Sequence, residues 1–170
     1  DFPKRVIDLS IVIVNYNSSH VLRDCLRSIE ASVICVPYEV IVVDNHSPDG
    51  GIKEVKEDFS SVVYMELQKN IGFAAGTNAG LLRGVGSTYL LLNPDTEVEK
   101  NAIQYLYDAV NDDSQTGMGG PKIYYSDGKI QEEGYYKNNA RDGVAKWFYP
   151  EGQVSIEYNY VNGSLEGVQK

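Results

Sequence analysis

The sequence predicts an α/β domain, a mostly parallel sheet flanked by helices, with a β-rich C-terminal appendage. Three observations carry that expectation. Short β-branched runs without helical period alternate with segments whose apolar residues recur every three or four positions. The connections between them are short, as parallel strands joined by right-handed crossovers require. From Ser126 the pattern changes to Tyr-rich stretches punctuated by Asp127-Gly128, Asp142-Gly143 and Glu151-Gly152, which read as antiparallel hairpins or long loops.

Leu9–Asn15 (LSIVIVN) reads as a strand buried on both faces. Asn17-Ser18-Ser19 offers a helix cap. Val21, Leu22, Cys25, Leu26 and Ile29 then recur at helical spacing to about Ala31, and Pro37 closes that region. Tyr38–Asp44 is a second buried strand, ended by the turn-rich run from Asn45 to Gly51. A short helix over Ile52–Asp58 and a third strand over Val62–Leu67 follow. The segment Asn70–Gly80 is small and Gly-rich and grows helical through Arg83. Ser87–Asn93 reads as a fourth buried strand, broken at once by Pro94-Asp95-Thr96. Glu97–Asp112 reads as a helix with Ile103, Leu106, Tyr107 and Val110 on one face, and Gly117–Tyr125 as a fifth strand. The expected organisation is a core over 1–125 and a hairpin and loop extension over 126–170.

The chain has 170 residues, of which 42% are hydrophobic, enough for a core. Its net charge of -9 argues against general nucleic-acid binding, which needs a cationic surface. An acidic chain can still hold a phosphorylated ligand through local dipoles or a bridging cation. Cys25 and Cys35 form no C-x-x-C pair, and the two His offer no zinc spacing. The cysteines read as buried or partly buried thiols in a reducing, cytoplasmic setting. No apolar run reaches the length of a transmembrane segment.

In open α/β sheets, ligands bind at the carboxyl ends of the strands. Asn15, Asp44, and Asn93 with Asp95 stand at such ends. Singly, each could do no more than open a turn. Together they are expected on one edge of one sheet, around one cleft. Asp44 suits an imide N–H such as that of uracil or thymine. Asp95 is a hard oxygen ligand for Mg2+ or Mn2+, and such an ion would bridge a diphosphate. Gly72 and Gly76 allow either close approach of backbone to a ligand or tight helix–strand packing. The first strand is followed by Asn15-Tyr-Asn-Ser-Ser19, not G-x-G-x-x-G, and no P-loop or nucleophile elbow is present. His20 and His46 read as surface or turn residues.

Five segments occur in order: Ile11-Val-Ile-Val-Asn-Tyr-Asn17, Val42-Val-Asp-Asn-His-Ser47, Asn70-Ile-Gly-Phe-Ala-Ala-Gly-Thr-Asn78, Leu91-Leu-Asn-Pro-Asp95 and Gly119-Gly-Pro-Lys122. Together they resemble the GT-A (Rossmann-like) domain of family 2 glycosyltransferases, especially the rhamnosyltransferase-like branch. Asp127-Gly-Lys-Ile-Gln131 and Val161-Asn-Gly-Ser164 resemble it more loosely. The resemblance implies inverting transfer of a sugar from a nucleotide-diphosphate sugar donor to a saccharide or other hydroxyl acceptor. Its expected setting is rhamnosyl transfer in bacterial cell-surface polysaccharide synthesis. Val14, Asn15, Tyr16 and Asn17 would line the nucleotide pocket. Asp44 would hold the base, with Asn45 and Ser47 beside it, and Asn70, Gly72, Phe73 and Asn78 would border the donor. Asp95 would bind the metal as the last Asp of a D-x-D motif, with Asn93 in place of the first. The family's general base is expected some tens of residues after Gly163-Ser164, beyond Lys170, so no catalytic base is assigned. On that reading the chain is truncated before its acceptor-binding part; it binds donor and transfers sugar poorly. The alternative is a non-catalytic nucleotide- or partner-binding module of the same fold.

Overall fold

A computed structural model describes residues 6–112, 116–120, 123–124, 129–134, 136–137, 140–141 and 143–166. The chain divides into two compact units, Asp1–Gln104 and Tyr105–Lys170.

The first unit contains β1 (Leu9–Asn15), α1 (Ser19–Glu30), β2 (Tyr38–Asp44), α2 (Ile52–Asp58), β3 (Val63–Glu66), α3 (Phe73–Arg83) and β4 (Thr88–Leu92). The strands form a parallel sheet in the order β3-β2-β1-β4. Every residue of β1 is buried. Val12, Val14, Ile41 and Val43 form a core cluster on one face, with Val63, Met65, Leu67 and Leu81 packed on it. Ile11, Ile13 and Val42 alternate to the other face and are fully buried, as are Leu22, Leu26 and Ile29 of α1. The ranges of β1, β2 and α2 are those read from the sequence. α1 starts slightly earlier, and Ser18 gives its hydroxyl to Tyr16 O (3.0 Å) rather than capping the helix.

β4 departs from expectation. Among the described residues it lies at the edge of the sheet beside β1, with Tyr89 39% and Leu91 53% exposed, so only alternate residues turn inward. An apolar run alone cannot distinguish an edge strand from a central one. α4 (Ala102–Asn111) also begins later than Glu97, and it crosses the boundary between the units. The backbone ahead of it is committed elsewhere. Val98 N donates to Ser28 Oγ (3.0 Å), Val33 N donates to Lys100 O (2.7 Å), and Thr96 N donates to Asn93 O (3.2 Å). Within α4, Ile103 is buried while Leu106, Tyr107 and Val110 are half-buried.

The second unit holds β5 (Ile123–Tyr124), β6 (Ile130–Glu133), β7 (Tyr136–Lys137), β8 (Ala140–Arg141), β9 (Gly143–Phe148), β10 (Val154–Val161) and β11 (Ser164–Leu165). Five of them pair in the order β11-β10-β9-β6-β5, and β7 pairs with β8. All pairs among them are antiparallel. The expected fifth strand is thus shorter and antiparallel: 117–120 is not strand, and 121–122 and 125 lie outside the described residues. Asp127-Gly128 and Asp142 also lie outside them. Glu151-Gly152 does turn the chain between β9 and β10, with Gly152 at φ 91° and Tyr149 N donating to Gln153 O (2.8 Å). Asn162 (φ 49°) and Gly163 (φ 83°) supply the two positive φ values of a type I′ hairpin between β10 and β11. Among the described residues no helix is long and apolar enough to cross a membrane.

Gly76 and Gly80 press α3 against the sheet. A Cβ on Gly76 would stand 3.2 Å from Val14 Cγ1. A Cβ on Gly80 would collide with Val12 Cγ1 and stand 3.1 Å from Val43 Cγ2. Gly76 therefore serves packing. Gly72, at φ 84° with open space where a Cβ would be, instead supplies the turn into α3. Overpacking of this kind costs about 1–3 kcal/mol. Gly80→Val should lower the unfolding free energy from urea titration by about that amount; an unchanged value would show that α3 does not lie this close to β1 and β2.

Candidate functional site

Because the four strands are parallel, their carboxyl ends share one edge. The chain passes from β1 to β2 and β3 on one side and then from β3 back across to β4 on the other, so the strand order reverses at β1, where sheets of this kind open a crevice. Register places Asn15 opposite Asp44, and Ile13 opposite Leu92, which Asn93 follows directly.

The base of this edge is a buried polar network. Asp44 is 4% exposed, and Asn15 and Asn45 are buried with it. Asn15 Nδ2 donates to Asp44 Oδ1 (2.8 Å) and Ser47 Oγ (3.2 Å). Ser47 N donates to Asp44 Oδ2 (3.1 Å), and Asn17 N donates to Ser47 Oγ (3.0 Å). A buried carboxylate is tolerable when donors meet its oxygens. These donors also tie the loop after β1 to the loop after β2. Asn17 sits at φ 54°, a left-handed conformation that Asn adopts more readily than most residues. Asn15 Oδ1 is buried without a hydrogen-bond partner among the described residues.

A second amide clamp brings in the segment before α3. Asn45 Nδ2 donates to Asn70 Oδ1 (3.1 Å), which also accepts from Gly72 N (2.9 Å). Ile71 N donates to Asn45 Oδ1 (3.0 Å). At the end of β4, the Cys25 thiol donates to Asn93 O (3.7 Å). Burial, and then the nearby Asp95 carboxylate, push the Cys25 thiol up to about 12.

Above these groups lies a cleft of about 670 Å³. Val14, Tyr16, Ser18, His20 and Val21 line it from β1 and the start of α1. Asn45, Asn70, Gly72 and Phe73 line it from the clamp and α3, and Asn93, Pro94 and Asp95 from the end of β4. Of the residues expected at a site, Val14, Tyr16, Asn45, Asn70, Gly72, Phe73, Asn93 and Asp95 therefore face one space. Asn15, Asp44 and Ser47 lie in the supporting network, Asn17 joins it through its backbone, and Asn78 on α3 is exposed outside the lining. Ser18, His20, Val21 and Pro94 were not expected there. Their only sequence signal is position, immediately after a strand whose end was already suspect.

Among the described residues no cluster of three or more Asp, Glu, His or Cys could cage a metal. Asp95 offers one carboxylate and Asn93 one amide oxygen. Mg2+ and similar ions are commonly held by one or two carboxylates plus substrate phosphates, so this donor set fits an ion bound together with a diphosphate.

A parallel sheet with a polar cleft at its carboxyl edge, followed by antiparallel strands, is the GT-A architecture. Residues 10–162 match Glycosyl transferase family 2, and the chain belongs to that family. It is 29% identical over 125 residues to the low-salt glycan biosynthesis hexosyltransferase Agl10 of Haloferax volcanii, covering 71% of this chain and 38% of that protein. It is 27% identical over 134 residues to the poly-beta-1,6-N-acetyl-D-glucosamine synthase of Staphylococcus aureus, covering 72% and 31%. Among solved structures, S. aureus TarS 1–349 in complex with UDP superposes with a TM-score of 0.56 at 22% identity, covering 68% of this chain and 38% of TarS. The chain thus spans under half the length of the curated relatives it matches.

Two outcomes follow from the geometry. Asn15→Ala removes a donor from a buried carboxylate and should cost about 1–3 kcal/mol by urea denaturation. A cost near zero would mean that Asp44 does not depend on Asn15. At about pH 8, a disulfide reagent should label exposed Cys35 rapidly while buried Cys25, held protonated, reacts only on unfolding. Rapid labelling of a Cys35→Ser variant would contradict the burial of Cys25.

Proposed function

We propose that the cleft binds a nucleotide-diphosphate sugar, and that the protein transfers its sugar, with inversion, to a saccharide or other hydroxyl acceptor. The supporting observation is that Asn93 and Asp95, from the end of β4, share one cleft with Tyr16 and the Asn45–Asn70 clamp, which follow β1, β2 and β3. The nucleoside lies on the β1–β2 side. There Val14 and Tyr16 offer apolar and aromatic surface. Asp44 orients Asn15 and Ser47 beneath it. Each oxygen of that carboxylate accepts one protein hydrogen bond, which leaves lone pairs for an imide N–H. The diphosphate lies toward β4, where Asp95, assisted by Asn93, would hold Mg2+ or Mn2+. Such an ion, when bound, neutralises the charge on the departing diphosphate. Asn70, Gly72 and Phe73 border the donor, and removal of the acceptor proton is assigned to no residue of this cleft.

The activities of the relatives, a hexosyltransferase of glycan biosynthesis and a polysaccharide synthase, support a sugar donor and a role in glycan assembly. The Asn93-Pro94-Asp95 form, typical of the rhamnosyltransferase-like branch, supports rhamnose as that sugar.

Calorimetry with UDP, dTDP and GDP, each with and without Mn2+, tests this reading. One of them should bind more tightly with the ion, and Asp95→Ala should lose that increment, about tenfold in Kd, with its melting temperature intact. Affinity unchanged in the variant at saturating Mn2+ removes the metal role. No binding of any of the three nucleotides by the wild type removes the donor reading itself.

A further inference from the structure

The cleft has an unusual charge balance for a diphosphate site. The whole chain carries a net charge of -9. Among the described residues no Lys or Arg lines the cleft, and the lining includes the carboxylate of Asp95. A divalent ion partly neutralised by Asp95 leaves a bound diphosphate with uncompensated negative charge. Among the described lining residues, one side chain can carry positive charge: His20, exposed in the first turn of α1.

Its surroundings suit the task. α1 runs for 12 residues, has no acidic residue in its first turn, and receives no side-chain cap from Ser18. The partial positive charge of the helix start is therefore not consumed by the protein itself. The next cation along α1, Arg23, is held by Glu54 (2.8 Å) and Asp58 (3.4 Å), and Asp24 pairs with Arg27 (3.0 Å). None of these three ion pairs draws on His20.

We propose that His20 contacts the diphosphate of the nucleotide, its ring N–H donating to a phosphate oxygen in the same cleft as Asp95. This rests on the donor reading above and adds to it a residue that recognises phosphate rather than base or sugar. His20 thereby raises the affinity of the cleft for nucleoside diphosphates over nucleosides. A charge-assisted bond of this kind strengthens diphosphate binding about tenfold.

The test uses whichever of UDP, dTDP and GDP binds the wild type, with Mg2+, and its nucleoside (uridine, thymidine or guanosine). The chain has only two histidines, so the His20 Cε1–H proton resonance is identified by its loss in His20→Gln. Titration with the diphosphate should move this resonance, and the nucleoside at equal concentration should not. His20→Ala should weaken diphosphate binding about tenfold, His20→Lys should retain most of it, and both should melt as the wild type does. The inference is overturned if His20→Ala binds the diphosphate as tightly as the wild type, or if the nucleoside moves the resonance equally. A wild type that binds none of the three diphosphates overturns the donor reading together with this inference. Binding by the wild type with an indifferent His20 overturns the inference alone.

Discussion

The site depends first on the hydrogen bond between Asn15 Nδ2 and Asp44 Oδ1, 2.8 Å long and buried at the ends of two adjacent parallel strands. A carboxylate at that depth is costly without donors, and the strand register brings Asn15 directly opposite it. The remaining oxygen is met by Ser47 N, and the Ser47 hydroxyl takes Asn17 N. One buried, hydrogen-bonded carboxylate therefore ties together two loops that have no regular structure of their own. It works beside the backbone bond from Asn45 N to Asn15 O (2.8 Å), which continues the pairing of the two strands past their last residues.

From that anchor the rest of the cleft is assembled by short-range constraints. Asn45 holds Asn70 and the backbone of Ile71, which brings Gly72 and Phe73 alongside. The small residues Gly76 and Gly80 let α3 lie directly on Val12, Val14 and Val43. On the other side of β1, the Cys25 thiol reaches Asn93 O beneath the turn that carries Asp95. The buried, hydrogen-bonded groups thus form the floor, and the more exposed Tyr16, Phe73 and His20 stand around it. Buried polar residues set geometry, and exposed ones keep their hydrogen-bonding capacity for something else.

Much of the first unit was legible because its signals are local. β1 and β2 are continuous β-branched runs whose burial on both faces follows from their composition. The polar residues that end them were legible as a group, since parallel strands place all their carboxyl ends together. The failures share one cause, which is competition from distant partners. The helix expected from Glu97 starts at Ala102 because Ser28 and Val33, remote in sequence, engage the backbone before it. β4 looked central because edge position depends on strand order, which composition does not encode. His20 looked like an ordinary surface residue because nothing local says which direction the first turn of α1 faces.

The sequence by itself determined the α/β class, the main strands and the residues at their tips, since each follows from side-chain branching, period and turn chemistry over a few positions. Only the tertiary structure decided that Asp44 lies under the cleft as a buried, hydrogen-bonded carboxylate, and that Asp95 and His20 line the same cleft. Those outcomes depend on which strand lies beside which and on how closely a helix approaches the sheet. Both are set by packing between segments far apart in the chain, and no local pattern records them.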